Sequence, residues 1–265
     1  MTGWPLPGVD TTTPSVARGY DYALGGKAHF PADRAAMDAL AERYPGVFDL
    51  ARDNRAFLVR GVRYLVAEAG VRQFLDIGSG LPTVQNVHEV AHAIDPSVRV
   101  VYVDHDPMAV AHARALLADR RTTIAVAADA ADPCSIVEHP DVRAMVRPDR
   151  PVGVLMAGVL HHLSDEQDPA GVTAAFRDWM PRGSHLLVSN FLDDDARAGG
   201  VGAVLRSAFG SGFVREWPEH RAYLDGLDLV EPGLVYAADW RPDRRNVGSS
   251  GRWHTALCAG IGRKP

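Results

Sequence analysis

A glycine-rich turn follows an apolar segment directly in QFLDIGSGLPT, residues 73 to 83. The turn contains Gly78, Ser79 and Gly80, and Asp76 precedes its first glycine by two residues. Turns of this kind bring backbone N–H groups close to a ligand, as in the GxGxxG pattern of dinucleotide-binding proteins. Thr83 stands where that pattern has its third glycine, so the sequence departs from the pattern.

The charge of Asp76 decides between two classes of ligand. Two like unit charges about 4 Å apart repel by roughly 4 kcal/mol at an effective dielectric constant of about 20, so this carboxylate disfavours a pyrophosphate. S-adenosylmethionine carries a sulfonium and an ammonium group, and for this ligand the same interaction is attractive. We therefore expect S-adenosylmethionine rather than NAD, with Asp76, Gly78, Ser79 and Gly80 as cofactor-binding residues.

Two further aspartates follow apolar segments, Asp104 after VRVVYV and Asp129 after TTIAVAA. A carboxylate at the end of the second parallel strand can accept both hydroxyl groups of an adenosine ribose, and we assign this role to Asp104. Asp106, which a proline follows, is expected to cap the next helix. Asp129 and Ala130 are expected to face the adenine, and His105 is expected either to lie over the adenine ring or to stay in solvent.

The catalytic candidates follow the fourth apolar segment, in MAGVLHHLSDE. Gly158 is expected to leave room beside the cofactor, and His161 or His162 could act as a general base near neutral pH. The alternative is that one or both histidines only shape the turn. Methyl transfer from a sulfonium depends mainly on in-line positioning and on exclusion of water, so a base is not required.

The N-terminal block offers the other candidates. Tyr20 and Tyr22 stand just before GGK, residues 25 to 27, which suits an ordered arm folded over a pocket. Because an aromatic ring can contact a sulfonium by cation–π attraction, Tyr20 is a catalytic candidate and Tyr22 a cofactor-binding one, unless the rings only anchor the arm. Asn54 and Arg55 are candidates for binding the methionine carboxylate or an acidic substrate, and a surface salt bridge is the alternative for Arg55.

The segment HEVAH, residues 88 to 92, matches the HExxH pattern of zinc proteases. The apolar stripe of this helix should pack on the sheet, so that Gln85, His88, Glu89 and His92 face solvent. The stripe comprises Val84, Val87, Val90, Ala91 and Ile94. We therefore expect no catalytic metal site.

These residues need a scaffold of alternating strands and helices. Apolar strands are predicted in VRQFLDIG, VRVVYVD, TTIAVAAD, PVGVLMAGVL and HLLVSNF, with helices between them, one of which covers residues 83–94. Such alternation predicts βαβ units and parallel strands. The runs LDLVEPGLVYAADW and RWHTALCAGIGRK are joined by a loop, which predicts antiparallel pairing. The predicted fold class is α/β, a Rossmann-like doubly wound and mostly parallel seven-stranded sheet with an antiparallel last strand.

The first 70 residues are predicted to form a cap on that sheet. Residues 1–15 are rich in Thr, Pro and Gly and predict a flexible or draped arm. Helical periodicity predicts helices over residues 32–44 and 47–69. We expect an N-terminal arm and helical cap at residues 1–70 and a cofactor-binding domain at residues 71–265, which together form one structural unit.

The composition argues against several other classes of protein. The 265 residues carry a formal net charge of −5, whereas a nucleic-acid-binding protein usually has a basic patch, and RPDRR at residues 241–245 is interpreted as a solvated loop. Cys134 and Cys258 match no CxxC pattern. There is no signal-peptide pattern and no apolar run that could cross a bilayer. We expect a cytoplasmic protein that binds neither nucleic acid nor membrane, and we leave homo-oligomerisation open.

The motif DIGSG at residues 76 to 80, together with Asp104 and Asp129, resembles the class I S-adenosylmethionine-dependent methyltransferases. The segments PSVARGYDYALGGKAHFPADR, NRAFLVRGVRYL, QFLDIGSGLPTVQNVHEVA and VVYVDHDPMAVAHARALL resemble, more narrowly, an actinomycete family of S-adenosyl methyltransferases first catalogued as a domain of unknown function. The resemblance covers nearly the whole chain, although Ala28 stands where we expect an acidic residue in relatives. It implies a cofactor and a reaction type and does not identify the methyl acceptor.

The expected activity is therefore methyl transfer from S-adenosylmethionine to an unidentified small molecule, with release of S-adenosylhomocysteine. The fourth strand lacks the Pro-Pro-aromatic motif of nucleic-acid amino methyltransferases, which favours a small-molecule acceptor. A non-catalytic protein that binds the cofactor remains an alternative, because no convincing base or acceptor motif is present. An NAD-linked oxidoreductase is a weaker alternative, disfavoured by Asp76 and by the missing third glycine.

Overall fold

The computed structural model describes residues 9–83, 85–117, 121–192, 200–243 and 254–265, and its centre is one mixed sheet. The strands are β1 (Gln73–Ile77), β2 (Arg99–Asp104), β3 (Thr123–Ala127), β4 (Gly153–Ala157), β5 (His185–Phe191), β6 (Asp228–Leu229), β7 (Val235–Tyr236) and β8 (Leu257–Arg263). Their order is β3-β2-β1-β4-β5-β8-β6, and β7 also pairs with β8. Since β6 and β7 pair with different parts of β8, these eight strands occupy the seven predicted positions.

The directions of the strands confirm the predicted doubly wound sheet. β1 to β5 are parallel, and β8 is antiparallel to β5. β1 lies between β2 and β4, so the strand order reverses at β1 and the carboxyl ends of these strands meet at one edge. The run LDLVEPGLVYAADW forms two short strands, because the chain turns at Gly233, whose N–H donates to the Val230 carbonyl.

Helices cover both faces of this sheet. They are α1 (Val16–Ala23), α2 (Pro31–Arg43), α3 (Val47–Ala67), α4 (Val87–His92), α5 (Pro107–Leu116), α6 (Pro133–Glu138), α7 (Pro140–Met145), α8 (Pro169–Trp179), α9 (Val201–Phe209) and α10 (Trp217–Ala222). One core cluster joins α2, α3 and α4 to Phe74, and a second joins α6, α7 and α8 to Leu75. Successive strand residues point to opposite faces, which explains this division. None of the described helices is long and apolar enough to cross a membrane.

The N-terminal helices pack on the sheet through α3. The helices predicted at residues 32–44 and 47–69 are found as α2 and α3, with ends that differ by no more than two residues. Because the first core cluster contains residues from α2, α3 and the sheet, we retain the proposal that residues 1–70 and 71–265 form one unit. Residues 1–8 of the predicted arm, Val84, and the last two residues of RPDRR lie outside the described residues.

The helix predicted at residues 83–94 is wrong in length, because α4 begins only at Val87. Asn86 and Glu89 form a capping box in which Glu89 Oε2 accepts a hydrogen bond from the Asn86 N–H at 2.8 Å. Gln85 has a φ of 59°, which lies outside the right-handed helical region. Ile94 follows the end of the helix and is 43% exposed, so it does not belong to the buried stripe.

Candidate functional site

The glycine turn follows β1 at the edge where the strand ends meet. Gly78 and Gly80 have φ values of 63° and 65°, a region that glycine adopts at little cost. A methyl group on Gly78 would lie 2.7 Å from Cγ2 of Val159, so this glycine also permits the chain after β4 to approach. A methyl group on Gly80 would have no described neighbour within 4 Å, so open space adjoins the turn there.

Asp104 connects this turn to the end of β2. Its Oδ2 accepts a hydrogen bond from the Gly80 N–H at 2.7 Å, and its Oδ1 accepts one from the Asp106 N–H at 2.8 Å. A carboxylate offers about four lone-pair positions, so each oxygen keeps capacity for a ligand hydroxyl. Burial raises the pKa of Asp104, and the two N–H donors act in the opposite direction. Asp106 caps α5 as predicted, since its Oδ1 accepts a hydrogen bond from the Met108 N–H at 2.8 Å.

Asp76 and Arg55 line one cavity beside the glycine turn. Asp76 is 5% exposed, and burial raises its pKa to about 7, although the Arg55 charge lowers it. Within the described ranges, no hydrogen-bond donor reaches the Asp76 carboxylate. Arg55 Nε is buried and also lacks a partner among the described residues. The cavity therefore combines a carboxylate and a guanidinium that both retain hydrogen-bonding capacity.

Asn54 joins α3 to α1 and to β5. The Ser189 hydroxyl donates to Asn54 Oδ1 at 2.5 Å, and Asn54 Nδ2 donates to the Tyr20 oxygen at 3.1 Å. The Tyr20 hydroxyl donates to the Ala51 carbonyl at 3.2 Å. Burial raises the pKa of Tyr20, while the Arg55 charge and the hydrogen bonds from Asn54 and Arg55 lower it. Tyr20 is therefore a neutral phenol at neutral pH, held in place from both sides.

His161 and His162 form the short turn Leu160–His162 after β4. Burial lowers the pKa of His161 well below its usual range and that of His162 to about 4, so both rings are neutral near pH 7. The Phe191 N–H donates to His161 Nδ1 at 3.4 Å, and His162 Nδ1 lies 2.8 Å from the Ser211 hydroxyl. These contacts favour the interpretation that the histidines shape the turn, and the base role stays a prediction.

The described part of the N-terminal arm lies against the glycine turn. Val9 of the arm and Phe30, which precedes α2, cluster with Leu81 and with Met108 of α5. The Ser15 hydroxyl donates to Asp106 Oδ2 at 3.0 Å. Arg18 and Asp33 form a buried ion pair at 2.8 Å, which holds α1 against α2. The arm therefore covers the turn on the side of α5.

The block YDYALGGK folds around the buried carboxylate of Asp21. Asp21 Oδ2 accepts a hydrogen bond from the Ala28 N–H at 2.8 Å, and a methyl group on Gly26 would collide with this carboxylate. Tyr22 points to the outer side, where its hydroxyl donates to Asp38 Oδ1 at 3.1 Å and its ring packs edge-on against Phe48. These contacts favour an anchoring role for Tyr22, whose part in cofactor binding stays a prediction.

The three candidates for the adenine follow β2 and β3. Asp129 is exposed beyond the end of β3, and its Oδ1 accepts a hydrogen bond from the Ala131 N–H at 2.9 Å. Ala130 is buried. The His105 side chain is 78% exposed, and its Nδ1 lies 4.0 Å from Asp104 Oδ1. All three lie at the same edge of the sheet as the glycine turn, and their roles stay predictions.

The two histidines of HEVAH are engaged within the protein. His88 Nδ1 lies 2.7 Å from the Tyr102 hydroxyl, and His92 Nε2 donates to the Val98 carbonyl at 2.8 Å. These two contacts leave both rings half-buried, so the expectation that they face solvent is met only in part, whereas Glu89 is exposed as expected. Among the residues with described positions, no group of three His, Cys, Asp or Glu side chains could hold a metal ion.

Comparison with known proteins identifies the family. Residues 3–265 match the family model described as S-adenosyl methyltransferase. The chain belongs to the S-adenosyl methyltransferase family. The class I methyltransferase fold that the resemblance implied is confirmed, and membership of this family implies use of S-adenosylmethionine.

Two solved structures resemble this chain over almost its whole length. A candidate methyltransferase from Thermobifida fusca is 45% identical, with a TM-score of 0.92 and 98% of each chain covered. A DUF574 family protein from Streptomyces avermitilis is 36% identical, with a TM-score of 0.92, 97% of this chain and 99% of that chain covered. The N-methyltransferase NodS from Bradyrhizobium japonicum, 16% identical with a TM-score of 0.51, covers 83% of this chain and 99% of that chain and is alike in fold alone. No curated protein matched.

The sequence analysis did not single out Ser189, although its hydroxyl fixes the side chain of Asn54. The available signal was a pair of polar residues, Ser189 and Asn190, at the carboxyl end of an otherwise apolar strand. That signal indicates a position near a site, since the strand ends meet there, and it does not indicate a partner.

Proposed function

We propose that this protein transfers a methyl group from S-adenosylmethionine to a small molecule. The observation that carries the proposal is the pair of opposite charges, Asp76 and Arg55, in one cavity beside the glycine turn. The amino-acid end of S-adenosylmethionine has an ammonium and a carboxylate, so its two charges complement this pair. A pyrophosphate at this turn would be repelled by Asp76.

The residues at the strand ends fit the rest of the cofactor. Each Asp104 oxygen accepts one backbone hydrogen bond and keeps capacity for a ribose hydroxyl. Gly80 adjoins open space, so the backbone of the turn is accessible. In this assignment Asp76 binds the ammonium, Arg55 the carboxylate and Asp104 the ribose, while Gly78 and Ser79 shape the turn and His105, Asp129 and Ala130 surround the adenine.

When bound, S-adenosylmethionine supplies an electrophilic methyl group on a sulfonium. The protein contributes binding, orientation and exclusion of water. The apolar cluster of Val9 and Phe30 with Leu81 shields the glycine turn. Tyr20 holds α1 against α3 at the other side of the site. The formal net charge of −5 and the absence of a nucleic-acid methyltransferase motif in the sequence support a small acceptor.

Titration calorimetry with S-adenosylhomocysteine tests the proposal, with NAD as the competing ligand. Charge-assisted hydrogen bonds contribute about 1.5–3 kcal/mol each, so Asp104→Ala should weaken binding of S-adenosylhomocysteine by roughly tenfold or more. Asp104→Asn keeps the size of the side chain and one carbonyl oxygen, so its affinity should lie between those of the wild type and Asp104→Ala. Arg52→Ala is the matched control, because Arg52 is exposed on α3. Binding of NAD instead, or unchanged affinity in Asp104→Ala, would refute the proposal.

A further inference from the structure

A second cavity lies between α4 and α5, against the start of β3, and is called here the α4–α5 cavity. Its volume is about 640 Å³, within the range of about 300–1,000 Å³ that is usual for small-molecule sites. The described residues that line it include His88, His92, Pro96, Leu116, Arg121 and Thr122. The space is large enough for a small organic molecule.

The α4–α5 cavity is separate from the place where a methyl group would be transferred. Thr122 and Thr123, which line it, lie at the amino end of β3, whereas the glycine turn follows the carboxyl end of β1. β3 has five residues, which at about 3.3 Å per residue span roughly 13 Å. A molecule bound at the amino end of β3 is therefore not the methyl acceptor.

The α4–α5 cavity nevertheless adjoins the cavity that contains Asp76 and Arg55. His88, Leu116 and Leu117 line both of them. An experiment on a ligand of one cavity must therefore distinguish it from a ligand of the other.

The segments that form the α4–α5 cavity carry the two large apolar side chains that are exposed among the described residues. Leu116 lines the cavity and is 62% exposed. Ile94 is 43% exposed and lies two residues before Pro96, which also lines the cavity. Exposed apolar surface beside a cavity is typical of a ligand site, because a bound apolar group removes that surface from water.

The polar part of the lining favours an anion. The His88 N–H donates to the Tyr102 oxygen at 2.9 Å, and we assign the hydroxyl hydrogen of Tyr102 to His88 Nδ1, 2.7 Å away. Because burial lowers the pKa of His88, its ring is neutral near pH 7, and Nε2 then carries the ring hydrogen. Arg121 adds a guanidinium, whose geometry matches a carboxylate. No Asp or Glu is among the described residues that line the cavity.

We infer that the α4–α5 cavity is a second ligand site, which binds a small organic acid. The carboxylate of this ligand accepts hydrogen bonds from His88 Nε2 and from Arg121, and its apolar body packs against Leu116 and Pro96. The inference goes beyond the proposed function and does not depend on it, since neither Asp76 nor the glycine turn takes part.

A nuclear magnetic resonance titration of the ¹⁵N-labelled protein tests this inference. Benzoate is the probe, benzylammonium has the same ring with the opposite charge, and acetate has the same carboxylate without the ring. We expect benzoate to shift the amide signals of Leu116 and Thr122 saturably and benzylammonium to leave them unchanged. Acetate should bind roughly tenfold or more weakly than benzoate, because it lacks the apolar surface that the ring buries.

Variants at the exposed end of α5 separate the charge of the cavity from the fold. Leu116→Glu places a carboxylate at the cavity and should weaken benzoate binding by roughly tenfold or more, because like charges repel. Leu116→Gln has a similar size without the charge, so its affinity should stay within roughly threefold of the wild type. Ala115→Glu is the matched control, because Ala115 is exposed beside Leu116 but does not line the cavity. Its affinity for benzoate should stay within roughly twofold of the wild type, since solvent screens an exposed charge.

The remaining outcomes decide whether benzoate occupies the α4–α5 cavity. Absence of a saturable benzoate shift, or an equal response to benzylammonium, overturns the inference. Equal weakening in Leu116→Glu and Ala115→Glu also overturns it, because binding would then follow the overall charge of the protein. Saturating S-adenosylhomocysteine should leave the benzoate response in place, and complete loss of the response would locate benzoate in the cavity of Asp76 and overturn the inference. Failure of S-adenosylhomocysteine to bind overturns only the proposed function.

Discussion

The buried carboxylate of Asp76 should make cofactor binding depend on pH. Its pKa is about 7 in the unliganded protein, and it must be ionised to bind an ammonium group. Apparent affinity follows the ionised fraction, which is about 0.9 at pH 8 and about 0.09 at pH 6. S-adenosylhomocysteine should therefore bind roughly tenfold more weakly at pH 6, a difference of about 1.4 kcal/mol.

Titration calorimetry at pH 6, 7 and 8, in two buffers with different ionisation enthalpies, measures both affinity and proton release. We expect release of about 0.9 proton at pH 6 and about 0.1 at pH 8. In Asp76→Asn this proton release should be absent. At pH 8 the variant should bind S-adenosylhomocysteine roughly tenfold or more weakly than the wild type, because one charge-assisted hydrogen bond is lost. Equal wild-type affinity at pH 6 and pH 8 would refute the reasoning. The same pH dependence in Asp76→Asn would assign the proton to another group.

The same carboxylate should destabilise the unliganded protein in alkaline solution. Burial raises the pKa of Asp76 from 3.8 to about 7, so its contribution to stability is complete below 3.8 and is lost as pH rises through 7. The shift of about 3 units corresponds to about 4 kcal/mol. Asp76→Asn should therefore have a higher free energy of unfolding in urea at pH 8, by up to this amount, with a smaller gain at pH 5. An unchanged free energy at pH 8 would contradict this.

Two further predictions concern stability. Arg18→Ala leaves the fully buried Asp33 carboxylate without its ion-pair partner, so the free energy of unfolding in urea should fall by about 3–5 kcal/mol. Arg52→Ala, at an exposed ion pair, should lower it by less than about 1 kcal/mol. Equal losses would contradict the role of burial. Gly78→Ala should lower the thermal midpoint more than Gly80→Ala, since both have positive φ but only the first methyl group would meet a side chain. Equal losses would show that backbone strain alone decides, and the reverse order would contradict the role of the Val159 contact.

Features with a local signal could be predicted from the sequence. The alternation of strands and helices predicted the parallel sheet, the loop without a helix predicted the antiparallel end, and the aspartate before a proline predicted the cap at Asp106. The start of α4 also had a signal, since Asn86 and Glu89 have capping-box spacing. The apolar stripe from Val84 to Ile94 is longer than the helix itself, and for this reason the predicted helix was too long.

Contacts between distant segments could not be predicted in this way. Asn54 and Ser189 are separated by 135 positions, and Ser15 and Asp106 by 91. No spacing within one segment encodes such pairs, because they depend on how the strands are ordered. The raised pKa of Asp76 has the same origin, since the sequence shows a carboxylate and only the packed structure shows how little water reaches it.

The strand that carries Asp76 is fully buried and lies between β2 and β4. Amides in such a strand exchange hydrogen mainly when the whole domain opens, so this strand belongs to the most stable part of the protein. Ligand binding stabilises the folded state further, in proportion to the logarithm of the free ligand concentration. We therefore expect the lifetime of the protein in the cell to follow the supply of S-adenosylmethionine, with chains that lack the ligand degraded first by proteases.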